Sequence, residues 1–400
     1  MTMDIQKYSA FLEQVAAEID IPPSKYQDAV ERYQAVGEWL HEGEYAGCEG
    51  KPSICVQGSF RLGTVVRPIR DGIEASYDID LVCELQMRKA QTTPQTVKAI
   101  VGDRLREHGT YKKMLEPEGR RCWTLEYAEQ DGVGFHMDVL PAVPDARGLL
   151  DTAIAITHRT ATTYSWSASN PRGYGVWFDQ KNAAAFLRES VEQKRAIQRR
   201  APHIYSSIDK VPDQLVRTPL QRSIQIMKHH RDLRFNHRDH IDYAPISIIP
   251  TTLAATLYGN ETDVYSALFG IVQKLQAHAA LVEGKGIDRS LVELGLIRRL
   301  PDGRWYIGNP ANPEENFAER WHEDNHARAR AFFGWVGLLQ KDLLNIVHET
   351  RASVLKEELG RALGIGVVSK HLGILVPPAA VVDTPPRIHI KGPAKPWREE

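Results

Sequence analysis

The sequence predicts an α+β protein of two lobes, a mixed-sheet N-terminal lobe followed by a mainly helical C-terminal lobe. Two observations predict this. Up to about residue 145, short β-patterned runs alternate with helical periodicity, whereas helical patterns dominate from residue 216 onward. The expected organisation is a sheet lobe with N-terminal helices over 1–150, a connecting segment over 151–215, a helical lobe over 216–376 and a Pro-rich tail over 377–400.

The elements follow in order. Residues 4–19 read as a helix that breaks at Ile21-Pro22-Pro23, and Ser24 caps a second helix to about Leu40, with Val30, Tyr33, Val36 and Leu40 on one side. Strands are expected at Ser53–Val56 and Ser76–Leu85, then a helix from Thr92 to His108 with Val97, Ile100, Val101 and Leu105 at helical spacing. Cys122–Ala128 and Gly134–Val139 flank Gln130-Asp131-Gly132, a hairpin turn signal. Over 151–215, polar and Gly/Pro-rich stretches surround a short helical piece, Ala183–Arg200. Pro219–Phe235 is a strong helix: Thr218 caps it, Pro219 suits its first turn, and Leu220, Ile224 and Met227 form a stripe. Further helices are expected over 245–258, 262–282, 324–348 and 350–363, with a loop-rich stretch over 300–321.

Composition narrows the function. With 42% hydrophobic and 25% charged residues the chain is of ordinary soluble globular type. A net charge of −1 weighs against coating nucleic acid through overall charge. The start, MTMDIQKYSAF, has no apolar signal-peptide core, and no apolar run approaches a membrane span. Cys48, Cys55, Cys83 and Cys122 are scattered and read as reduced thiols, so the expected location is the cytoplasm, with no membrane partner.

The chemistry concentrates in QGSFRLGTVVRPIRDGIEASYDIDL, residues 57–81. Gly58-Ser59 opens a Gly/Thr-containing loop, and Asp78-Ile79-Asp80 lies in a strand-like run. Residues two apart on a strand share a face, so two carboxylates project side by side. Such a pair needs a positive partner, and Mg²⁺, which shares its shell with phosphates, is the natural one. Asp138 lies between apolar Met137 and Val139, pointing to the opposite face from them, and is the candidate third carboxylate.

Gly-Ser, then Asp-x-Asp, then a lone Asp on a later strand resembles the polymerase β-like nucleotidyltransferase superfamily, matched by Gly58-Ser59, Asp78, Asp80 and Asp138. Within it, QGSFRLGTVVRP and YDIDLVCEL are similar to the bacterial cyclic GMP–AMP synthase-like enzymes (CD-NTases). So are TPLQRSIQIMKHHRDLRF, APISIIPTTLAATLY and NPANPEENFAERW, and the likeness runs from about residue 25 to 365.

That resemblance implies a bilobal polymerase β-like fold and a Mg-dependent, non-templated synthase. It would join two or three NTPs, ATP among them, into a cyclic second messenger of anti-phage signalling. Asp78, Asp80 and Asp138 would be catalytic and would hold two Mg²⁺ ions, with Mn²⁺ as the alternative metal. Gly58, Ser59, Lys228 and Ser247 would bind nucleotide. A downstream cyclic-nucleotide effector and operon-encoded regulators are the implied partners. The terminal Pro396-Trp397-Arg398-Glu399-Glu400 departs from the small last residue expected where relatives are conjugated through their C-terminus.

The competing reading is an RNA 3′-end or oligoadenylate-type nucleotidyltransferase making linear products, which needs a basic face. His229, His230, His237 and His240 invite a metal reading, but adjacent helical histidines point apart and no Cys lies near. The resemblance implies no activation by double-stranded DNA, since the Cys/His insertion of the animal DNA sensor is lacking. Tyr164, Trp166, Tyr174 and Trp177 are expected mainly to pack, with base stacking the alternative.

Overall fold

A computed structural model describes residues 3–376 other than 68, 71–72, 75, 131–132, 147–149, 237–240, 280–281 and 283–295. Asp131-Gly132 of the expected turn, His237, His240 and the tail 377–400 lie outside the described residues.

Asp4 caps helix α1 (Ile5–Glu18) by accepting from the Gln6 N–H at 2.9 Å. Helix α2 (Pro23–His41) begins one residue before the expected cap: Pro22 holds the N-cap position and Ser24 sits inside the first turn. The fixed φ of Pro23 suits the first helical position and needs no donor there.

The sheet lobe is built from β1 (Ser53–Gln57), the short helix α3 (Gly58–Leu62), a two-residue ladder of β2 (Ile69–Arg70) and β3 (Ile73–Glu74), β4 (Tyr77–Glu84), α4 (Pro94–Glu107), α5 (Tyr111–Met114), β5 (Trp123–Gln130) and β6 (Val133–Pro144). β7 (Ile154–Arg159) and β8 (Tyr164–Ser169) complete it. The strand order is β1-β4-β6-β7-β8, with β5 on the free flank of β6. β4 and β6 run parallel and the other pairs antiparallel, so the sheet is mixed.

Strand alternation sorts the side chains. Tyr77, Ile79 and Leu81 of β4 join Phe135, Met137 and Val139 of β6 in the main core under the sheet. The intervening Asp80 and Asp138 project from the other face, where Val82, Leu140, Ala142, Ile154 and Ile156 form a small apolar patch.

Strands β7 and β8 correct the sequence reading of 151–215, which found only a short helix there. The sheet runs past residue 150, and the helix that follows, α6, spans Pro171–Arg200, capped by Asn170 accepting from the Gly173 N–H at 2.9 Å. Ser, Thr and Tyr dominate 160–169, so β8 carries no apolar alternation to read, and in β7 the apolar Ile154-Ala155-Ile156 is too short a run to tell strand from helix.

The helical lobe contains α7 (Pro219–Arg234), α8 (Ile248–Leu257), α9 (Val264–Gln276), α10 (Ala327–Leu339), α11 (Ala352–Leu363) and α12 (Ile365–His371). Residues 298–316 form two small ladders, β9 (Arg298–Arg299) with β10 (Trp305–Tyr306) and β11 (Gly308–Asn309) with β12 (Asn312–Asn316). Thr218 and Gln221 make a reciprocal capping box at the start of α7. Tyr8, Phe11, Leu12 and Val15 of α1 share a core with Leu220, Ile224 and Met227 of α7 and Leu268 and Ile271 of α9. The first helix therefore packs in the helical lobe, although it precedes the whole sheet. Among the described residues no helix is long and apolar enough to cross a membrane.

Candidate active site

The site begins where β1 turns into α3. Gly58 has φ +64°, in the left-handed region, and a Cβ added there would collide with the Asp80 carboxylate. Glycine is the residue that meets both demands. Ser59 follows in the first turn, and its carbonyl accepts the N–H groups of Gly63 and Thr64, the latter at 3.0 Å. Gly63, also at positive φ, closes α3.

Strand register then lines up one row across the sheet: Gln57 opposite Asp80, Asp80 opposite Asp138, and Asp138 opposite Thr124. The Thr124 hydroxyl donates to Asp138 Oδ1 at 2.5 Å, fixing that carboxylate. Asp78, one step along β4, is opposite His136, whose Nδ1 lies 3.6 Å from Asp78 Oδ1.

The electrostatics follow from this crowding. Burial, then Asp138 and Asp78, push the Asp80 carboxyl up to about 7. Burial and the neighbouring Arg231 lower the Lys228 ammonium to about 8. Lys228 reaches the sheet lobe from α7, and its Nζ donates to the Thr64 carbonyl at 2.9 Å.

All seven residues singled out in the sequence line one cavity of about 520 Å³: Gly58, Ser59, Asp78, Asp80, Asp138, Lys228 and Ser247. Ser247 is already engaged there, accepting from Arg231 Nη1 at 2.8 Å. A second cavity of about 590 Å³ meets the first at Gly58, Leu62, Asp80, Asp138 and Ile248, and extends toward Arg121, Trp166 and Glu315. Asp80 and Asp138 thus face two spaces, each large enough for a nucleotide-sized group.

Sequence reasoning missed Thr124 and Arg231. Arg231 stands one turn after Lys228 on the same helix, a spacing that could have nominated it. Thr124 is defined only by cross-strand register. Of the aromatic residues, Trp166 and Tyr174 line the second cavity. Tyr164 binds Glu118, and Trp177 packs on Tyr174 with ring centroids 5.2 Å apart. The histidine pair lies deep in the helical lobe: His229 Nε2 pairs with the Leu363 carbonyl at 3.0 Å, and His230 sits between Asp342 and the Trp335 indole.

The donor set fits a divalent cation of the hard, oxygen-loving kind. Three carboxylates line the first cavity, and burial together with their mutual repulsion holds Asp80 above the usual carboxylate range. Among the described residues no three His, Cys, Asp or Glu side chains form a finished metal cluster. Mg²⁺ completes its shell with water and substrate phosphates, so such a site assembles with the nucleotide.

The fold is that of the polymerase β-like nucleotidyltransferases. Residues 3–182 match the family model of the Second Messenger Oligonucleotide or Dinucleotide Synthetase domain. A c-di-GMP synthase of Roseivirga ehrenbergii is 28% identical over 310 residues, covering 76% of this chain and 70% of the relative. The cyclic dinucleotide synthase CdnG of Bradyrhizobium diazoefficiens is 25% identical over 329 residues, covering 78% and 70%. The structure of the latter CD-NTase in complex with GTP superposes with a TM-score of 0.67 at 20% identity, covering 91% of this chain and 98% of that one. The chain is thus similar to the bacterial CD-NTases, the cyclic GMP–AMP synthase-like nucleotidyltransferases.

Proposed function

We propose that this protein joins two nucleoside triphosphates, without a template, into a cyclic dinucleotide second messenger, GTP being among its substrates. The observation that carries the reading is the meeting of two cavities at Asp80 and Asp138, with Gly58-Ser59 and Lys228 on the first. The names of the two relatives favour a dinucleotide product, and the c-di-GMP of the first with the GTP bound in the solved structure of CdnG favours a guanine base.

In this reading the triphosphate of the donor lies in the cavity walled by Gly58, Ser59 and Lys228. Gly58 lets the backbone approach a phosphate closely, Ser59 offers its hydroxyl and N–H, and Lys228 adds a point charge from the helical lobe. The acceptor nucleoside occupies the second cavity, so that its ribose hydroxyl faces the donor α-phosphorus across Asp80 and Asp138. The hydroxyl gives up its proton to water as its oxygen forms the new P–O bond and pyrophosphate leaves, and a second round, which releases a second pyrophosphate and proton, closes the ring. Asp78, Asp80 and Asp138 would hold two Mg²⁺ ions, or Mn²⁺, which when bound activate the hydroxyl and offset charge on the leaving pyrophosphate. Thr124 keeps Asp138 aimed at that centre. The same reading takes the protein to be a cytoplasmic enzyme of anti-phage signalling whose product binds a separate effector.

The test is incubation of purified protein with Mg²⁺ and each NTP pair, followed by phosphatase treatment and mass spectrometry. A phosphatase-resistant cyclic dinucleotide supports the reading, and linear products that lengthen on an added RNA overturn it.

A further inference from the structure

Helix α7 carries a ladder of polar side chains of which the sequence nominated only Lys228. Gln221, Gln225 and Lys228 lie on one face, at i, i+4 and i+7. Each donates to a backbone carbonyl at the end of α3 or in the loop that follows it. Gln221 Nε2 reaches the Leu62 carbonyl at 2.8 Å, Gln225 Nε2 reaches Val65 at 2.7 Å, and Lys228 Nζ reaches Thr64 at 2.9 Å.

All three side chains are buried, at 7%, 0% and 6% exposure, where a polar group is retained only when it is satisfied. The loop has few bonds of its own. The Thr64 N–H binds the Ser59 carbonyl and the Arg67 N–H binds the Ile19 carbonyl, while Leu62, Thr64, Val65 and Val66 form one wall of the nucleotide cavity. The far side of each glutamine is also fixed. Gln221 Oε1 accepts the Thr218 N–H at 2.9 Å in the capping box, and Gln225 Oε1 accepts Arg222 Nη1 at 3.1 Å.

We propose that Gln221 and Gln225 are positioning residues. Acting across the lobe boundary, they hold the 62–66 wall in its nucleotide-receiving shape, so that the helical lobe sets the geometry of the Gly58-Ser59 turn. This rests on the nucleotidyltransferase reading of the cavity. Neither glutamine lines that cavity; they act through the loop.

The chemistry supplies a clean test, because glutamate at either position keeps the acceptor oxygen and loses the donor. In Gln221→Glu the capping box survives, since glutamate serves that position equally well. In Gln225→Glu the Arg222 contact survives as an ion pair. Each variant sets a carboxylate against a carbonyl of the loop. Ser223→Ala, on the same helix with its hydroxyl toward the Val264 carbonyl, is the control.

Three quantities are measured on full-length protein: melting temperature, affinity for a non-hydrolysable GTP analogue with Mg²⁺, and hydrogen exchange of the peptide over 58–67. For both glutamate variants the proposal expects analogue affinity weakened about 10-fold or more and faster exchange over 58–67. Melting temperature without nucleotide should stay within about 4 °C of wild type. Wild-type affinity and exchange in both variants overturn the proposal. A fall in melting temperature with wild-type affinity in the folded fraction also overturns it, because the glutamines are then structural only. Should one variant fail to fold, Gln225→Met, which removes the polar end altogether, carries the same readouts. Wild-type protein that binds and turns over NTPs while the variants match it sinks this inference alone. Wild-type protein with no NTP binding removes the functional reading and this inference with it.

Discussion

The α-carbon of Gly58 faces the carboxylate of Asp80 so closely that residue 58 has no room for a side chain, and its φ of +64° is one that side chains disfavour. The phosphate-side turn and the carboxylate row are therefore one packed unit. Gly58→Ala forces the turn or Asp80 to move. The expected cost is about 1–2 kcal/mol from the backbone alone, and about 100-fold in product formation from sub-ångström misplacement. Product assays and thermal melts on the same preparation check both.

Thr124 offers a gentler probe of the same row. Its hydroxyl orients Asp138 at 2.5 Å without facing the cavity. Thr124→Val removes that bond and keeps the shape. Turnover should fall about 10- to 100-fold, as for other partners of metal-binding carboxylates, with melting temperature little changed. A kinetic comparison with Asp138→Asn, which should lose more, measures the effect.

Activity should depend on pH in a bell. Asp80, at about 7 in the free protein, must ionise to take a cation, so metal binding releases a proton and weakens as pH falls through about 7. Lys228, at about 8, must be charged to meet a phosphate, so nucleotide binding takes up a proton and weakens as pH rises through about 8. The profile of kcat/KM should therefore peak between these values, and Lys228→Met should flatten the alkaline flank while keeping the acid one.

Stability carries the opposite sign for Asp80. Its folded pKa lies above the model-peptide value of 3.8, so the folded state holds a proton that the unfolded state releases. In chelator, the contribution of Asp80 to stability is fully present below about pH 4 and is lost as pH rises through about 7. Asp80→Asn should remove that loss, and Mg²⁺ with nucleotide should reverse it in wild type. Melting curves across this range, with and without Mg²⁺ and nucleotide, are the measurement.

The helical-lobe network predicts a purely structural effect. His230 binds Asp342 at 3.1 Å and accepts the Trp335 indole N–H at 3.0 Å, with burial holding its imidazole below the usual range. His230→Ala strands the Trp335 indole N–H in the core and leaves Asp342 paired with Arg234. It should cost about 2–4 kcal/mol of stability while the folded fraction keeps its nucleotide affinity, as urea unfolding and binding assays would report.

These relationships explain what was legible in the sequence. Asp78, Asp80 and Asp138 could be found because strand alternation sets a lone carboxylate between buried Ile79 and Leu81, or between Met137 and Val139, in plain view. Gly58 could be found by its place before a Thr-containing loop, but its reason, the Asp80 carboxylate, is a tertiary contact. Thr124 was hidden because cross-strand register leaves no local pattern. Gln221 and Gln225 were hidden for a related reason. From Pro219 to His230 every side chain of α7 is buried, and the polar ones bond to the sheet lobe, to α1 or to the rest of the helical lobe. Such a helix reads as amphipathic from its Leu220, Ile224 and Met227 stripe, while its other faces are equally enclosed. Strand β8 escaped because Ser and Thr residues replace the apolar alternation, and β7 because Ile154-Ala155-Ile156 is too short a run to read.

The central claim is that two cavities meeting at Asp80 and Asp138 join two nucleotides into a ring. The most direct measurement is mass spectrometry of the phosphatase-treated products from labelled NTPs, supplied singly and in pairs with Mg²⁺, for wild type and Asp80→Asn. The account predicts a cyclic dinucleotide from wild type and at least about 100-fold less from the variant. A linear product only, or equal yields from both proteins, would contradict it.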